Sequence, residues 1–557
     1  MVVAIGGAIL LLANGFRPPL QSSSTDSEPR STTVVKLRDV ARESGLTFVL
    51  ENHPTPQKHP IEAMLGGVAA FDYNRDGWTD IYFTNGATVP SLQKESPRYF
   101  NRLFRNDGGM KFTDVTQEAQ VQGRGYSMGV AAGDYDNDGW VDLFVAGVFR
   151  NTLYRNLGNG RFHEVTSEAR IKSDRWSVAA GWFDYDRDGW LDLLVVNYLD
   201  WSPEMDIYCG DSIRRIRTIC HPSRFAGLSN NLYRNRGDGT FEDVSQQSGI
   251  AAHLGKGMSV AFADFDVDGF TDVFITNDTL PDFLFRNRGD GSFEQVGLLA
   301  GVAVGAHGRP VASMGVDFRD YNNDGLPDLA VTALIRETFP IFRNEGKGLF
   351  REDSFPSRLG SQTAKKSGWS NGFFDFNNDG WKDLFTANSH VNDLVELFEA
   401  SPYKQANSIF VNRGDGSFLD VSAEAGPQFQ AAKAHRGSAF ADFNNDGRMD
   451  VVVSVIGERP ELWENVTPGT NRWLILKLTG SRGNRDGLGT AVRIGHQHNV
   501  MTTSVGYASS SYYGVHFGLG ATEWVDRIEI IWPKSRTVQI LPRVQANQIL
   551  EIQELPR

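Results

Sequence analysis

The chain has 557 residues, 58 glycines, 40% hydrophobic residues and two cysteines, which admits one very large domain or two to three ordinary ones and excludes a disulfide framework. A net charge of −13 without a basic tract excludes nucleic acid as a partner. After the first fifteen residues no segment is long and apolar enough to form a transmembrane helix.

The first element is an apolar run, Val2 to Ala13, followed by a Pro- and Ser-rich stretch through Thr33. Twelve apolar residues are too few to span a bilayer and fit the core of a secretory signal, with small residues near Ala13 to Gly15 for cleavage. No Lys or Arg precedes the run, so only the α-amino group supplies the positive charge. Residues 1–33 are therefore expected to be a signal-like segment and linker, and the protein to be secreted, periplasmic or on the cell surface.

From residue 34 to 467 one pattern repeats. Asp72-Tyr-Asn-Arg-Asp-Gly-Trp-Thr-Asp80 has the form D-x-[DN]-x-D-G-x-x-D and recurs from Asp134, Asp184, Asp264, Asp320, Asp375 and Asp442. Each copy runs into an apolar stretch such as Ile81-Tyr82-Phe83, which reads as a strand. An L-x-R-N signature follows, as in Leu103-Phe-Arg-Asn106 and Leu232-Tyr-Arg-Asn235, then a Gly-x-Gly hairpin turn and a Phe-x-x-Val strand. One repeat thus holds about four short strands, which predicts an all-β, seven-bladed β-propeller. The seventh repeat lacks its last strand, whereas Leu37-Arg-Asp-Val40 near the start matches Phe241-Glu-Asp-Val244, so the N-terminal strand is expected to complete the last blade. Residues 468–557 break the pattern; Trp473–Leu478 and Val525–Trp532 are strand-like and predict a small C-terminal β domain.

The spacing of the repeated loop suits calcium. Side chains at positions 1, 3 and 5 converge, Gly at position 6 permits the sharp turn, and the carbonyl at 7 and the carboxylate at 9 complete a shell of hard oxygens. The expected ligands are Asp72, Asn74, Asp76, Trp78 and Asp80 in the first loop and Asp134, Asp136, Asp138, Trp140 and Asp142 in the second. The third and fourth offer Asp184, Asp186, Asp188, Trp190 and Asp192, and Asp264, Asp266, Asp268, Phe270 and Asp272. The fifth and sixth offer Asp320, Asn322, Asp324, Leu326 and Asp328, and Asp375, Asn377, Asp379, Trp381 and Asp383; the seventh offers Asp442, Asn444, Asp446, Arg448 and Asp450. Position 12, occupied in the first and last loops by Phe83 and Val453, is nowhere Glu, which excludes an EF-hand. Affinities of roughly 10⁻⁴–10⁻³ M are expected, as for extracellular modules. Seven Ca²⁺ would bring the net charge of −13 to about +1. The aromatic at position 2, Tyr73 to Phe443, is expected to wedge between blades.

These residues resemble FG-GAP or VCBS repeats, which form calcium-binding propellers. The tail resembles the ASPIC/UnbV domain in Gly487-Leu-Gly-Thr-Ala-Val492, Ser509-Ser-Ser511, His516-Phe-Gly-Leu-Gly520 and Ile531-Trp532-Pro533, departing at Lys534-Ser535 where the family usually has glycine. The resemblance implies an extracellular calcium-binding protein and no particular reaction.

Three repeats carry insertions at the same point, near 86–101, 198–231 and 389–407, hence on one face, where repeat proteins place binding sites. The strands leading into that face end in Asn85, Asn197, Asn277 and Asn388, with Asp278 and His390 close by. These form either a polar ring for a sugar or peptide or a set of strand-end caps. Cys209 and Cys220 in the longest insertion are expected to pair as a disulfide; a metal pair with His221 lacks further ligands. With no G-x-S-x-G, H-E-x-x-H or phosphate loop, the expected function is binding of a protein or glycan. The alternatives are a polysaccharide lyase or hydrolase on the same face, which requires His390 and Asp278 in one pocket, and a purely structural surface protein.

Overall fold

The computed structural model describes residues 33–556 and is all-β, with helices of at most five residues. The apolar N-terminal run lies outside the described residues.

Seven sheets share one plan of four antiparallel strands. In sheet 1 these are Val68–Phe71, Asp80–Phe83, Arg102–Asn106 and Phe112–Asp114. The acidic loop joins the first strand to the second, the L-x-R-N signature is the third strand, and the Gly-x-Gly turn leads to the fourth. Both turns therefore lie at one end of each sheet, and the insertions, which join second to third strands, lie at the other.

The first strands converge. Val68–Phe71, Ser127–Gly133, Ser177–Phe183, Gly257–Ala263, Val316–Arg319, Gly368–Phe374 and His435–Ala441 each touch the next, and the last touches the first. They are buried almost throughout and rich in Ala, Gly and Ser, because seven strands crowding one axis leave little room for side chains. The last of the seven sheets is completed where Leu37–Asp39 pairs antiparallel with Glu461–Asn465, in the register Leu37 opposite Asn465.

Two repeated contacts hold sheet to sheet. The position-2 ring packs on the Phe of the next sheet's outer strand: Tyr135 on Phe241 at 5.6 Å, Tyr321 on Phe418 at 5.5 Å, and between the last sheet and the first Phe443 on Phe112 at 6.2 Å. The signature Asn makes the second. Asn156 donates Nδ2–H to the Tyr73 carbonyl of the preceding sheet, Asn235 to Tyr135 and Asn287 to Tyr185, each at 2.8 Å. The set continues through Asn344, Asn412 and Asn465 and closes with Asn106 on Phe443. A buried amide bridging two loops in every repeat explains why the signature ends in Asn.

The tail forms a three-stranded and a four-stranded sheet. It is not a free-standing unit. Its apolar residues Leu474, Phe517, Ile530 and Trp532 share one core cluster with Tyr135, Phe144 and Trp182 of the ring. Its segment 501–513 enters the axis of the ring. Ser510–Ser511 pairs parallel with Ala69 and Ala70, and Gly506 exchanges backbone hydrogen bonds with Val316 at 3.2 and 2.8 Å. The hydroxyls of Ser509, Ser510 and Ser511 accept the backbone N–H groups of Val68, Ala132 and Phe440, and Tyr507 donates its N–H to Ser370 Oγ at 2.9 Å. At the opposite mouth the helical turn Ile61–Met64, wholly buried, lies across the axis, and its Met64 carbonyl accepts the Tyr507 hydroxyl. The axis is filled from both ends.

Candidate metal centres and the two faces of the ring

The seven acidic loops adopt one geometry. The position-1 carboxylate accepts the N–H of Gly at position 6, as Asp72 does from Gly77 at 2.9 Å and Asp134 from Gly139 at 2.7 Å. The glycines take φ between +84° and +96°, a conformation that side chains resist. The position-9 carboxylate is clamped by two N–H groups: Asp142 accepts Asn156 N–H at 2.7 Å and Tyr135 N–H at 3.2 Å. In three loops the carboxylates of Asp134, Asp136 and Asp142, of Asp184, Asp186 and Asp192, and of Asp264, Asp266 and Asp272 bring oxygens within 4.8 Å of one another. These are the loops with Asp at position 3. There the signature arginine reaches the same residue, Arg155 to Asp136 at 2.7 Å and Arg286 to Asp266 at 2.6 Å.

Burial first, and neighbouring carboxylates second, push these acids up: Asp80 and Asp134 to about 8, Asp184 and Asp264 to about 7, Asp442 to about 6. Asp184 Oδ1 and Asp266 Oδ1 are buried with no hydrogen-bond partner among the described residues. A donor set made wholly of oxygens, crowded by like charge and holding orphaned acceptors, fits a hard divalent cation.

The tail covers this end of the ring. Asp486 accepts the N–H of Asp134 at 2.7 Å, and the Arg485 N–H donates to Asn137 Oδ1 at 2.8 Å. Lys534 donates to the Asp188 carbonyl, Asn471 to the Asn377 carbonyl at 2.9 Å, and Gly520 N–H to the Asn378 carbonyl at 2.8 Å. Arg536 and the Trp473 ring press on Gly269 and Gly447 so closely that a Cβ there would sit 1.4 and 1.8 Å from them. The acidic loops thus form the floor on which the tail is docked.

His516 carries a pH consequence. It is buried in the tail with Nε2 3.2 Å from the Gly447 carbonyl, and burial pushes its pKa down to about 4. A base depressed below its ordinary value of about 6.5 stabilises the fold fully above that value, and the stabilisation is lost as pH falls towards 4. At pH 5 the loss is about 2 kcal/mol. Thermal melts in saturating calcium should show a drop between pH 7 and pH 5 that His516→Asn reduces; an equal drop in both proteins would contradict the assignment.

The four strand-end asparagines do not form an open ring. Asn85, Asn197, Asn277 and Asn388 are at most 1% exposed. Asn85 Nδ2 donates to the Arg98 and Phe100 carbonyls, Asn197 Nδ2 to the Ser229 carbonyl, Asn277 Nδ2 to the Pro281 carbonyl and Asn388 Nδ2 to the Ala406 carbonyl. The amides tie the insertions to the strand ends, as the capping alternative expects. His390 and Asp278 have different hydrogen-bond partners. The His390 ring accepts the Asn392 N–H at 3.0 Å, while Asp278 accepts the Tyr198 hydroxyl at 2.6 Å.

The insertion-bearing face is the one the tail leaves open. Cys209 and Cys220 form a disulfide, with Cα atoms 5.2 Å apart, at the base of the hairpin Gly210–Asp211/Ile216–Arg217. Its tip presents Ile213, 93% exposed. Arg214 lies 5.4 Å over the Phe398 ring, so the insertion of sheet 3 meets that of sheet 6. Tyr208, Leu397 and Phe398 are also exposed.

Residues 72–195 and 206–453 match the FG-GAP-like repeat in six segments, and residues 480–556 match the ASPIC and UnbV domain. The chain belongs to the FG-GAP-like repeat family and carries an ASPIC and UnbV domain. Among characterised proteins it is similar to cartilage acidic protein 1 of Homo sapiens, 27% identical over 333 residues, covering 57% of this chain and 47% of that protein. The Mus musculus protein is 27% identical over 341 residues, covering 57% and 48%. The chain therefore spans about half the length of these relatives. Among solved structures, a lectin from Burkholderia pseudomallei aligns over 73% of this chain and 97% of its own, at 10% identity and a TM-score of 0.43.

Proposed function

We propose that the protein is an extracytoplasmic, calcium-loaded, seven-bladed β-propeller that binds a protein or glycan and catalyses no reaction. The seven-sheet ring and its seven loops support the blade count and a capacity of about seven Ca²⁺. In each loop the positions named above, from Asp72–Asp80 to Asp442–Asp450, would hold the ion, which supplies the charge balance that lets the tail rest on the loops. The expected weak affinity for calcium and the similarity to cartilage acidic protein 1 support a location outside the cytoplasm.

The observation that carries the binding role is the disulfide-based hairpin with Ile213 fully presented, braced against a second insertion on the face opposite the tail. Exposed apolar residues grouped on one face, here Ile213, Tyr208, Leu397 and Phe398, mark an interaction surface. The different hydrogen-bond partners of His390 and Asp278 favour a binder over a polysaccharide lyase or hydrolase. Probing arrays of extracellular proteins and glycans with the calcium-loaded chain should give binding that Ile213→Asp weakens at least tenfold. Absence of any binding, or binding indifferent to Ile213→Asp and to Phe398→Ala, would remove the proposed face.

A further inference from the structure

We propose that the cleft between the outer strands of sheets 1 and 2 is an oligosaccharide site; the inference rests on the binding role above and names its place and ligand. The cleft encloses about 750 Å³, within the range of ligand pockets. Gln117, Gln120 and Gln122 line one wall, and Arg150, Tyr154 and Glu164 the other. Phe100, from the first insertion, reaches its edge, which joins the cleft to the insertion-bearing face.

Two other sheet boundaries are bridged where this one is not. Between sheets 2 and 3, Lys172 reaches Asp243 of the next outer strand at 3.0 Å; between sheets 5 and 6, Lys366 reaches Asp420 at 3.3 Å. Gln122 occupies the place of Lys172: each follows a buried residue, Val121 or Ile171, whose N–H donates to the Thr116 or Thr166 carbonyl. Glu164 occupies the place of Asp243, third in its outer strand. Glutamine cannot make the ion pair. Glu164 is left with Arg124 at 3.9 Å, Gln122 Oε1 is buried without a hydrogen-bond partner, and Arg150 forms no ion pair among the described residues.

The groups lining the cleft are planar donors and acceptors: the side-chain amides of Gln117, Gln120 and Gln122, the Arg150 guanidinium and the Glu164 carboxylate. Such groups bind pairs of adjacent hydroxyls, and the exposed lining is more polar than apolar. The aromatic rings of Tyr154 and Phe162 are only 4% and 1% exposed, so they form a floor without offering an apolar pocket.

The test uses the full chain in calcium on an array of neutral and uronic-acid-containing oligosaccharides, with hits measured by calorimetry. Binding to at least one of them is expected. Gln122→Lys, which installs the pair found at the next boundary, and Arg150→Ala should each weaken it at least tenfold, while Lys172→Gln should not. Saccharide binding unaffected by Gln122→Lys and Arg150→Ala would overturn the cleft and leave the binding role standing. No saccharide binding at all would also overturn the cleft, and the Ile213→Asp comparison on proteins would then decide the broader role separately.

Discussion

A chain ending at residue 467 is expected not to yield a soluble, folded ring. Removal of the tail withdraws the partners of five inner-strand N–H groups, those of Val68, Val130, Ala132, Val316 and Phe440. Each buried donor left unpaired costs about 1–3 kcal/mol. Their sum is comparable to the whole stability of a typical domain, about 5–15 kcal/mol. Truncation also uncovers the ring residues Phe144 and Trp182 that share the tail's core. Expression should give aggregate, seen by gel filtration. A milder variant, Ser509, Ser510 and Ser511 all changed to Ala, removes three acceptors and should fold with a melting temperature lower by several degrees. A truncated monomer melting like the full chain would show that the axial segment is dispensable.

Calcium removal should be the other large effect. At 2 mM calcium and dissociation constants of 10⁻⁴–10⁻³ M, each site contributes about 1 kcal/mol by mass action. Seven sites acting together should shift melting by about 6 °C. The change should not be uniform along the chain. Loops 2 to 7 contact the tail through groups such as Asp486, Lys534, Arg536 and His516, so chelation should loosen that docking first. Hydrogen exchange with calcium and with chelator should show the greatest loss of protection in residues 468–557 and in the loops. Equal loss in the outer strands far from the loops would argue for a general effect on stability.

The repeat could be read because its physics is local. Asp72, Asp76, Gly77 and Asp80 lie within nine residues, and their spacing alone demands convergent oxygens about a turn. The completion of the last sheet by Leu37–Asp39 was legible for a related reason, since an outer strand looks alike wherever it stands in the chain. The signature Asn was visible as a pattern and opaque in purpose. Its partner is a carbonyl in the preceding repeat, 83 residues away for Asn156. The axial segment was hidden altogether. Ser509 to Ser511 stands in the sequence only as a mark of the ASPIC/UnbV resemblance; its partners lie 71 to 441 residues away, and no periodicity marks a strand that adds to another domain's sheet. The strand-end asparagines show the converse difficulty. A polar residue at the end of a strand serves a ligand or a loop equally well, and only burial of Asn85 and Asn277 distinguishes the two.

Metal in the seven loops links the fold to the proposed role. Crystals grown in millimolar calcium and measured at long wavelength would locate the ion by its anomalous scattering. Seven peaks are predicted, each within coordination distance of positions 1, 3 and 5 of a loop, including the Asn-containing loops that begin at Asp72, Asp320, Asp375 and Asp442. Ordered loops without such peaks would contradict the assignment of calcium and, with it, the explanation of why the tail rests on this end of the ring.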